Sequence, residues 1–352
     1  MTGGLGFIGS HLVDRLLEDD WSVVVLDNLL TGYRSNLSGR KGDPHLKVVA
    51  GDVRNLPMVI KCSRDCDAVF HLAAHALMRV SLKDHRADLE HNIIGTMNVL
   101  EAMAANKVPD FVFASTSALY GEAEVTPTPE NYSGIQTSLY GAAKLAGEGY
   151  ASAFTKFGPM KVWAFRFGTV LGERCRRGAI WDFTHKLLKN PAELEVLGDG
   201  RQRKDYLSVT DCIDGIMLGY QKSSDPVNIF NLGLQEQTSV NQLADIVIEV
   251  MRLSGVRKKY TGGSHGWVGD NPVVYLSTEK IRRLGWRPRV SPAGAIRMTA
   301  RWTLDEISGK ASRARLRRER DVKSRGDWRG RIPRKPHCKA ANRPRPGGYG
   351  CR

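Results

Sequence analysis

Apolar and polar positions along the first half of the chain alternate between two periods. Short apolar runs recur, and each closes on small or polar residues. Val23-Val24-Val25-Leu26 ends in Asp27, Leu46-Lys47-Val48-Val49-Ala50 in Gly51-Asp52-Val53, and Ala68-Val69-Phe70-His71-Leu72 in Ala73-Ala74. Phe111-Val112-Phe113-Ala114 ends in Ser115-Thr116-Ser117, and Val162-Trp163-Ala164-Phe165-Arg166-Phe167 leads to Thr169. Such runs suit strands buried on both faces. Between them lie helical patterns: Ser10 to Glu18, with Leu12, Val13, Leu16 and Leu17 on one face, then Asp88 to Asn106 and Ser138 to Phe157. Strand–helix alternation predicts an α/β fold with a doubly wound parallel sheet, the Rossmann arrangement.

From Gly172 the loops lengthen and the elements shorten. Asn228 to Gly233 reads as a strand returning to the sheet, with helices at Val240 to Leu253 and Ser277 to Leu284. A smaller α/β lobe, woven from non-contiguous pieces, is expected there. Periodicity stops past Ser308. Of the 52 basic and 37 acidic side chains, residues 309–352 carry sixteen and three, so +13 of the formal net charge of +15 belongs to a tail. Like charge with few apolar residues predicts disorder. Sixteen cations suit phosphate contacts, but Trp328 and Tyr349 are the tail's only aromatics and it carries no nucleic-acid-binding motif, so nucleic acid is not the expected partner. No apolar run reaches the ~18 residues of a membrane span. Six scattered cysteines suggest reduced thiols in a cytoplasmic protein. Cys62 and Cys66 lack a second ligand pair, so no metal site is expected.

Gly3-Gly4-Leu5-Gly6-Phe7-Ile8-Gly9 is a glycine-rich turn opening the first helix. Gly3 permits a tight turn, Gly6 a close approach of backbone to a pyrophosphate, and Gly9 close packing of the helix. Unpaired amides at the helix start favour an anion. Asp27 falls about 20 residues on, where a carboxylate accepts from ribose hydroxyls. A carboxylate there favours NAD over NADP, and Arg34 is expected to face solvent. Only Met1 and Thr2 precede the turn. The central first strand is therefore expected to be truncated, or the start misassigned. The boundaries expected are 1–171 for the dinucleotide-binding domain, with segments returning near 205–233, 172–308 for the substrate lobe, and 309–352 for a dispensable tail.

Tyr140 and Lys144 share a helix face at i, i+4. A nearby cation favours a phenolate, so Lys144 is expected to lower the proton affinity of Tyr140. Ser115 to Gly121 sits at a strand end, where a hydroxyl can hold the substrate oxygen that the phenol deprotonates.

Gly3–Gly9, Asp27-Asn28, Asp52-Val53, His71–Ala74, Asn92 before Gly95-Thr96, Ser115–Gly121 and Tyr140–Lys144 occur in this order. Together they resemble the extended short-chain dehydrogenase/reductase superfamily, in its nucleotide-sugar epimerase branch, over about residues 2–305. The resemblance implies that Gly3, Gly6, Phe7, Ile8, Asp27, Asn28, Asp52, Val53, Leu72, Ala73, Asn92, Ser115 and Phe167 line an NAD site. It implies Tyr140 as base, Lys144 on the nicotinamide ribose, and Thr116 as the catalytic hydroxyl. It also implies a homodimer, paired through helices near 88–106 and 138–157. Sugar 4,6-dehydratases carry an Asp-Glu pair after the catalytic Thr, and decarboxylases keep the Glu. This chain has Ser117 and Ala118. A redox-neutral 4-epimerase needs neither acid. Thr169 replaces a usual Asn, Gln202-Arg203-Lys204-Asp205 varies a usual Gln-x-Arg-Asp, and Trp267-Val268-Gly269-Asp270 lacks a usual phosphate-binding Arg. Thr169 is expected to face the sugar, with Arg174, Arg203 and Lys204 supplying cations to its diphosphate. The rival readings are another nucleotide-sugar reductase or epimerase, and a non-catalytic truncated relative.

Overall fold

The structure, a computed structural model, describes residues 1–77 and 81–309. The tail beyond Gly309, expected to be disordered and dispensable, lies outside the described residues, as do Cys338 and Cys351.

A parallel sheet carries the first half. Strands β1 (Val23–Asp27) and β2 (Leu46–Ala50) pair at one side. On the other, β3 (Ala68–His71), β4 (Asp110–Ala114), β5 (Lys161–Phe167) and β10 (Val227–Leu232) pair in that order. Met1 to Gly3 run between the two groups. The Thr2 amide donates to Phe70 O and the Gly3 amide to Leu26 O, while the Leu26 and Leu72 amides donate to Met1 O and Thr2 O. Thr2 alone forms ladder bridges, to Leu26 and His71, so the expected first strand exists as a three-residue span. The Met1 amine donates to Val24 O, and burial pushes it down to about 6.

Side chains on a strand alternate between faces. On β5, Trp163 and Phe165 pack with α1 (Phe7–Glu18) and α6 (Val209–Lys222), whereas Val162 and Ala164 pack with Val99, Leu100 and Met103 of α3 (Gly95–Asn106). A π turn at Leu89–Ile94 leads into α3, and α4 (Leu139–Phe154) lies beside them. The second lobe packs α5 (Ala179–Lys189), α7 (Val240–Val250) and α9 (Pro292–Ile307) around Phe183, Leu187, Leu243, Val247 and Ile296. Strands β6 (Thr169–Leu171) and β9 (Tyr206–Ser208) and helix α8 (Glu279–Arg283) connect it to the sheet.

Several boundaries differ from expectation. Helix α1 starts at Phe7 rather than Ser10, because Gly6 is extended and caps it. Helix α4 starts at Leu139, where the Ser138 hydroxyl accepts from the Gly141 amide, and it ends at Phe154 rather than Phe157. Helices α7 and α8 stop short of Leu253 and Leu284. Helices α5, α6 and α9 have no counterpart in the expectation.

A buried polar network joins the layers. Arg166, on β5, bonds Glu148 of α4 at 2.6 Å and donates to the Tyr120 hydroxyl at 2.8 Å. Ser115 donates to Glu148, and Tyr120 donates to Asn231 of β10. Both Arg166 and Glu148 are nearly inaccessible, so removing one partner strands a buried charge. Arg166→Met is expected to cost roughly 3–5 kcal/mol of unfolding free energy in urea titrations. A loss below about 1 kcal/mol, the range of exposed pairs, would show that the network is not structural.

Candidate active site

A cavity of about 410 Å³ opens along the C-terminal ends of these strands, where open parallel sheets bind ligands. That volume is in the range of small-molecule and cofactor sites. Its wall contains Gly3, Gly6, Phe7 and Ile8 from the glycine turn, and Asp27, Asn28 and Val53 after β1 and β2. Leu72 and Ala73 follow β3, Ser115 follows β4, Tyr140 and Lys144 come from α4, and Phe167 and Arg174 complete the expected set.

The turn allows no other residue at two positions. Gly3 has φ of 70°, and a Cβ there would lie 2.6 Å from the Ala73 amide nitrogen. A Cβ on Gly9 would lie 2.1 Å from Gly3 O. The first amides of α1 have no intrahelical partner, and no side chain caps them. Asp27 accepts from the Leu5 amide at 2.9 Å and the Leu29 amide at 2.8 Å. Each oxygen keeps a lone pair for a ribose hydroxyl. Arg34 is exposed, as expected.

Other expected residues lie outside the cavity wall. Asp52 accepts from Asn28 and from Arg54; burial pushes its carboxyl up, but these partners outweigh it and hold the carboxyl down at about 2. Asn92 is a clamp, accepting from the His75 amide at 2.7 Å and donating to His75 O at 2.9 Å, which fixes the loop after β3. Thr116 caps a short turn by accepting from the Ala118 amide at 3.1 Å.

The expected cations are largely committed elsewhere. Arg174 pairs with Asp14 at 2.7 Å, and Lys204 with Asp270 at 2.5 Å. Arg203 is exposed on β8 (Arg203–Lys204), and Thr169 starts β6 opposite Tyr206. Wall residues missed in the sequence include Tyr33, His91, Arg176 and Arg177. Three arginines within residues 174–177 were the available signal.

The electrostatics of the pair differ from expectation. Burial pushes the Tyr140 phenol up to about 12, partly offset by the Arg177 charge and the Thr116 bond. Burial also pushes Lys144 down to about 7, against the carboxylates of Glu148 and Asp88. The Lys144 ammonium donates to Ala114 O at 2.7 Å and lies 6.0 Å from the Tyr140 ring centre. Burial outweighs the cations here, so the Tyr140 phenol lies above its ordinary value rather than below it as expected.

The family model for the NAD dependent epimerase/dehydratase family matches residues 1–233. The chain belongs to this family. It is 33% identical to a putative UDP-glucose 4-epimerase of Methanocaldococcus jannaschii, over 86% of this chain and 97% of that protein. A crystal structure of a UDP-galactose 4-epimerase matches with TM-score 0.77 and 35% identity, covering 87% of this chain and 98% of that one. The Thermotoga maritima UDP-glucose 4-epimerase, solved with UDP-glucose, matches with TM-score 0.79 and 31% identity over the same shares. The chain is thus an enzyme of the nucleotide-sugar epimerase/dehydratase superfamily, and the family is NAD-dependent. The uncapped helix start, the close-packed glycines and Asp27 fit that cofactor. Among the described residues no helix is long and apolar enough to cross a membrane.

Lys144 carries a stability signature. Its folded value of about 7 lies below its ordinary 10.5, so between those values the unfolded chain binds more protons. Stability of the cofactor-free protein should therefore rise with pH through that window. In Lys144→Met this increment should vanish, with the buried Met1 amine contributing equally to both proteins. Parallel stability–pH curves for the two would contradict a buried, proton-poor Lys144.

Proposed function

We propose that the chain interconverts a nucleotide-diphosphate sugar and its C4 epimer, of the UDP-glucose/UDP-galactose type, through a 4-keto sugar. The observation that carries this is the meeting of Tyr140, Lys144 and the glycine turn in one cavity wall, with Thr116 at the start of the turn after β4. NAD, when bound, supplies the hydride acceptor and donor at C4.

Tyr140 takes the proton from the 4-hydroxyl and later returns it. In this reading the Thr116 hydroxyl holds the same substrate oxygen during the transfer. Lys144 holds the nicotinamide ribose beside Tyr140. Phe7 and Ile8 present amides to the pyrophosphate, Gly6 lets the backbone approach it, and Asp27 receives the adenine ribose. Ser117 and Ala118 supply no carboxylate next to Thr116, which supports epimerisation over loss of water.

The protein also forms a homodimer in this reading. Leu89 and Ile94 before α3 and Leu145 and Tyr150 on α4 are large apolar side chains left exposed on neighbouring helices. Ile94→Glu with Leu145→Glu should halve the mass measured by light scattering, and an unchanged mass would remove these faces from the interface.

Purified protein should convert UDP-galactose to UDP-glucose without added cofactor, since the reaction has no net redox change. Tyr140→Phe should retain NAD and lose several orders of magnitude in turnover. Thr116→Val should lose less, because Tyr140 persists. Turnover that requires stoichiometric NADH would instead identify a reductase.

A further inference from the structure

We propose that residues 172–177 form a strap across the cofactor cleft, anchored by Arg176 and Glu306, which slows release of the dinucleotide. This rests on the reading of the cleft as the NAD site. The strap follows β6 and leads into α5. It starts against α1, where Glu173 O lies 3.0 Å from His11 Nε2. Arg174 has φ of 68°, a conformation that non-glycine residues seldom adopt, and its pair with Asp14 of the same helix holds it there. Such strain persists where surrounding contacts over-determine it, and ligand clamps are one such place.

Arg176 reaches the wall that follows β1. Its guanidinium donates to Asn36 Oδ1 at 2.8 Å and lies 4.4 Å from the Tyr33 ring centre. Asn36 in turn donates to Leu5 O at 2.8 Å, and the Tyr33 amide to the same oxygen at 3.0 Å, so this anchor is continuous with the glycine turn. From the second lobe, Glu306 of α9 accepts from Arg176 Nε at 2.9 Å, and the Trp302 ring centre lies 5.2 Å from the guanidinium. Arg177 reaches the opposite wall, after β3, and donates to Ala76 O at 3.5 Å, with no carboxylate within ion-pair distance among the described residues. The loop therefore touches both walls of the cavity, and Arg174, Arg176 and Arg177 all line it.

The two ends hold unequally. The side chains of Arg176 and Glu306 are 11% and 23% exposed, whereas Arg177 is exposed. Solvent screening and side-chain entropy weaken an exposed contact, so Arg176 is the holding point. Glu306 stands outside the cavity wall, and its carboxylate bonds only Arg176 among the described residues. A cycle that returns NAD to its oxidised form in place needs no exchange of cofactor, so slow release does not limit turnover.

The test is the rate at which the NAD-loaded protein releases NAD, with freed nucleotide trapped by a coupled dehydrogenase, in wild type, Arg176→Ala and Glu306→Gln. Release should speed up roughly tenfold in Glu306→Gln, because a charged, partly buried pair becomes a neutral one. Arg176→Ala should release at least as fast. Wild-type rates in both variants would overturn the proposal. So would fast release in Arg176→Ala alone, which would make Arg176 a direct contact of the cofactor rather than the anchor of a strap. A speed-up in Glu306→Gln matched by an equal rise in the unfolding rate of the NAD-free protein would also overturn it, as a general loosening. A wild-type protein that neither carries NAD nor takes it up would instead overturn the reading of the cleft on which this rests.

Discussion

The site depends on how Met1 to Gly3 are held in the sheet. The β1–β2 pair and the β3–β4–β5–β10 group bond to each other through this span among the described residues. Thr2 serves both sides. Its backbone bonds Phe70 and Leu72, while its hydroxyl lies 2.6 Å from His71 Nδ1 and accepts from the Ala73 amide. His71 Nε2 in turn lies 3.0 Å from the Thr96 hydroxyl, and burial holds the ring well below its ordinary proton affinity. A neutral imidazole can donate on one side and accept on the other. The chain then turns at Gly3 directly over Ala73. The glycine turn is thereby positioned by the same residues that close the centre of the sheet.

The second constraint is desolvation. At about 6 Å and an effective dielectric of 20, a phenolate and an ammonium attract by roughly 3 kcal/mol, or about two pH units. Full burial disfavours each charge by up to 3–5 units. Without a direct contact, burial wins, and both groups move toward their neutral forms.

That is also where sequence reasoning had its limit. Strand ends, the glycine turn, Asp27 and the Tyr140–Lys144 pair were legible because apolar periodicity and i, i+4 spacing are local properties. Proximity of Tyr140 and Lys144 followed from spacing, but their burial did not. The arginines show the same boundary. Arg174 and Asp14 are 160 positions apart, and Lys204 and Asp270 are 66 apart. No local pattern announces that such cations are already neutralised, or that Arg177 is not. Helices α5 and α9 went unread because their apolar faces cover a second core that only the tertiary fold assembles, and α6 because its apolar face lies against α1 and the sheet, far from it in sequence.

The two sides of the cleft are therefore built differently. On the side of Tyr140, Tyr120, Glu148, Arg166 and Asn231 form a buried set whose members bond one another across β5, α4 and β10. Any movement of Tyr140 relative to the sheet would strain that set. On the opposite side the loop carrying Trp267 is tied at its end. Asp270 accepts from Lys204 and from the Gly266 amide, and Thr137 donates to Asn271 at 2.8 Å, three residues before Tyr140. The second lobe thus meets the first beside Tyr140 itself. A substrate that contacted the 264–271 loop would be tied through Asn271 and Thr137 to the start of the helix that carries Tyr140. That arrangement suits a reaction in which the proton acceptor stays fixed and the keto sugar turns.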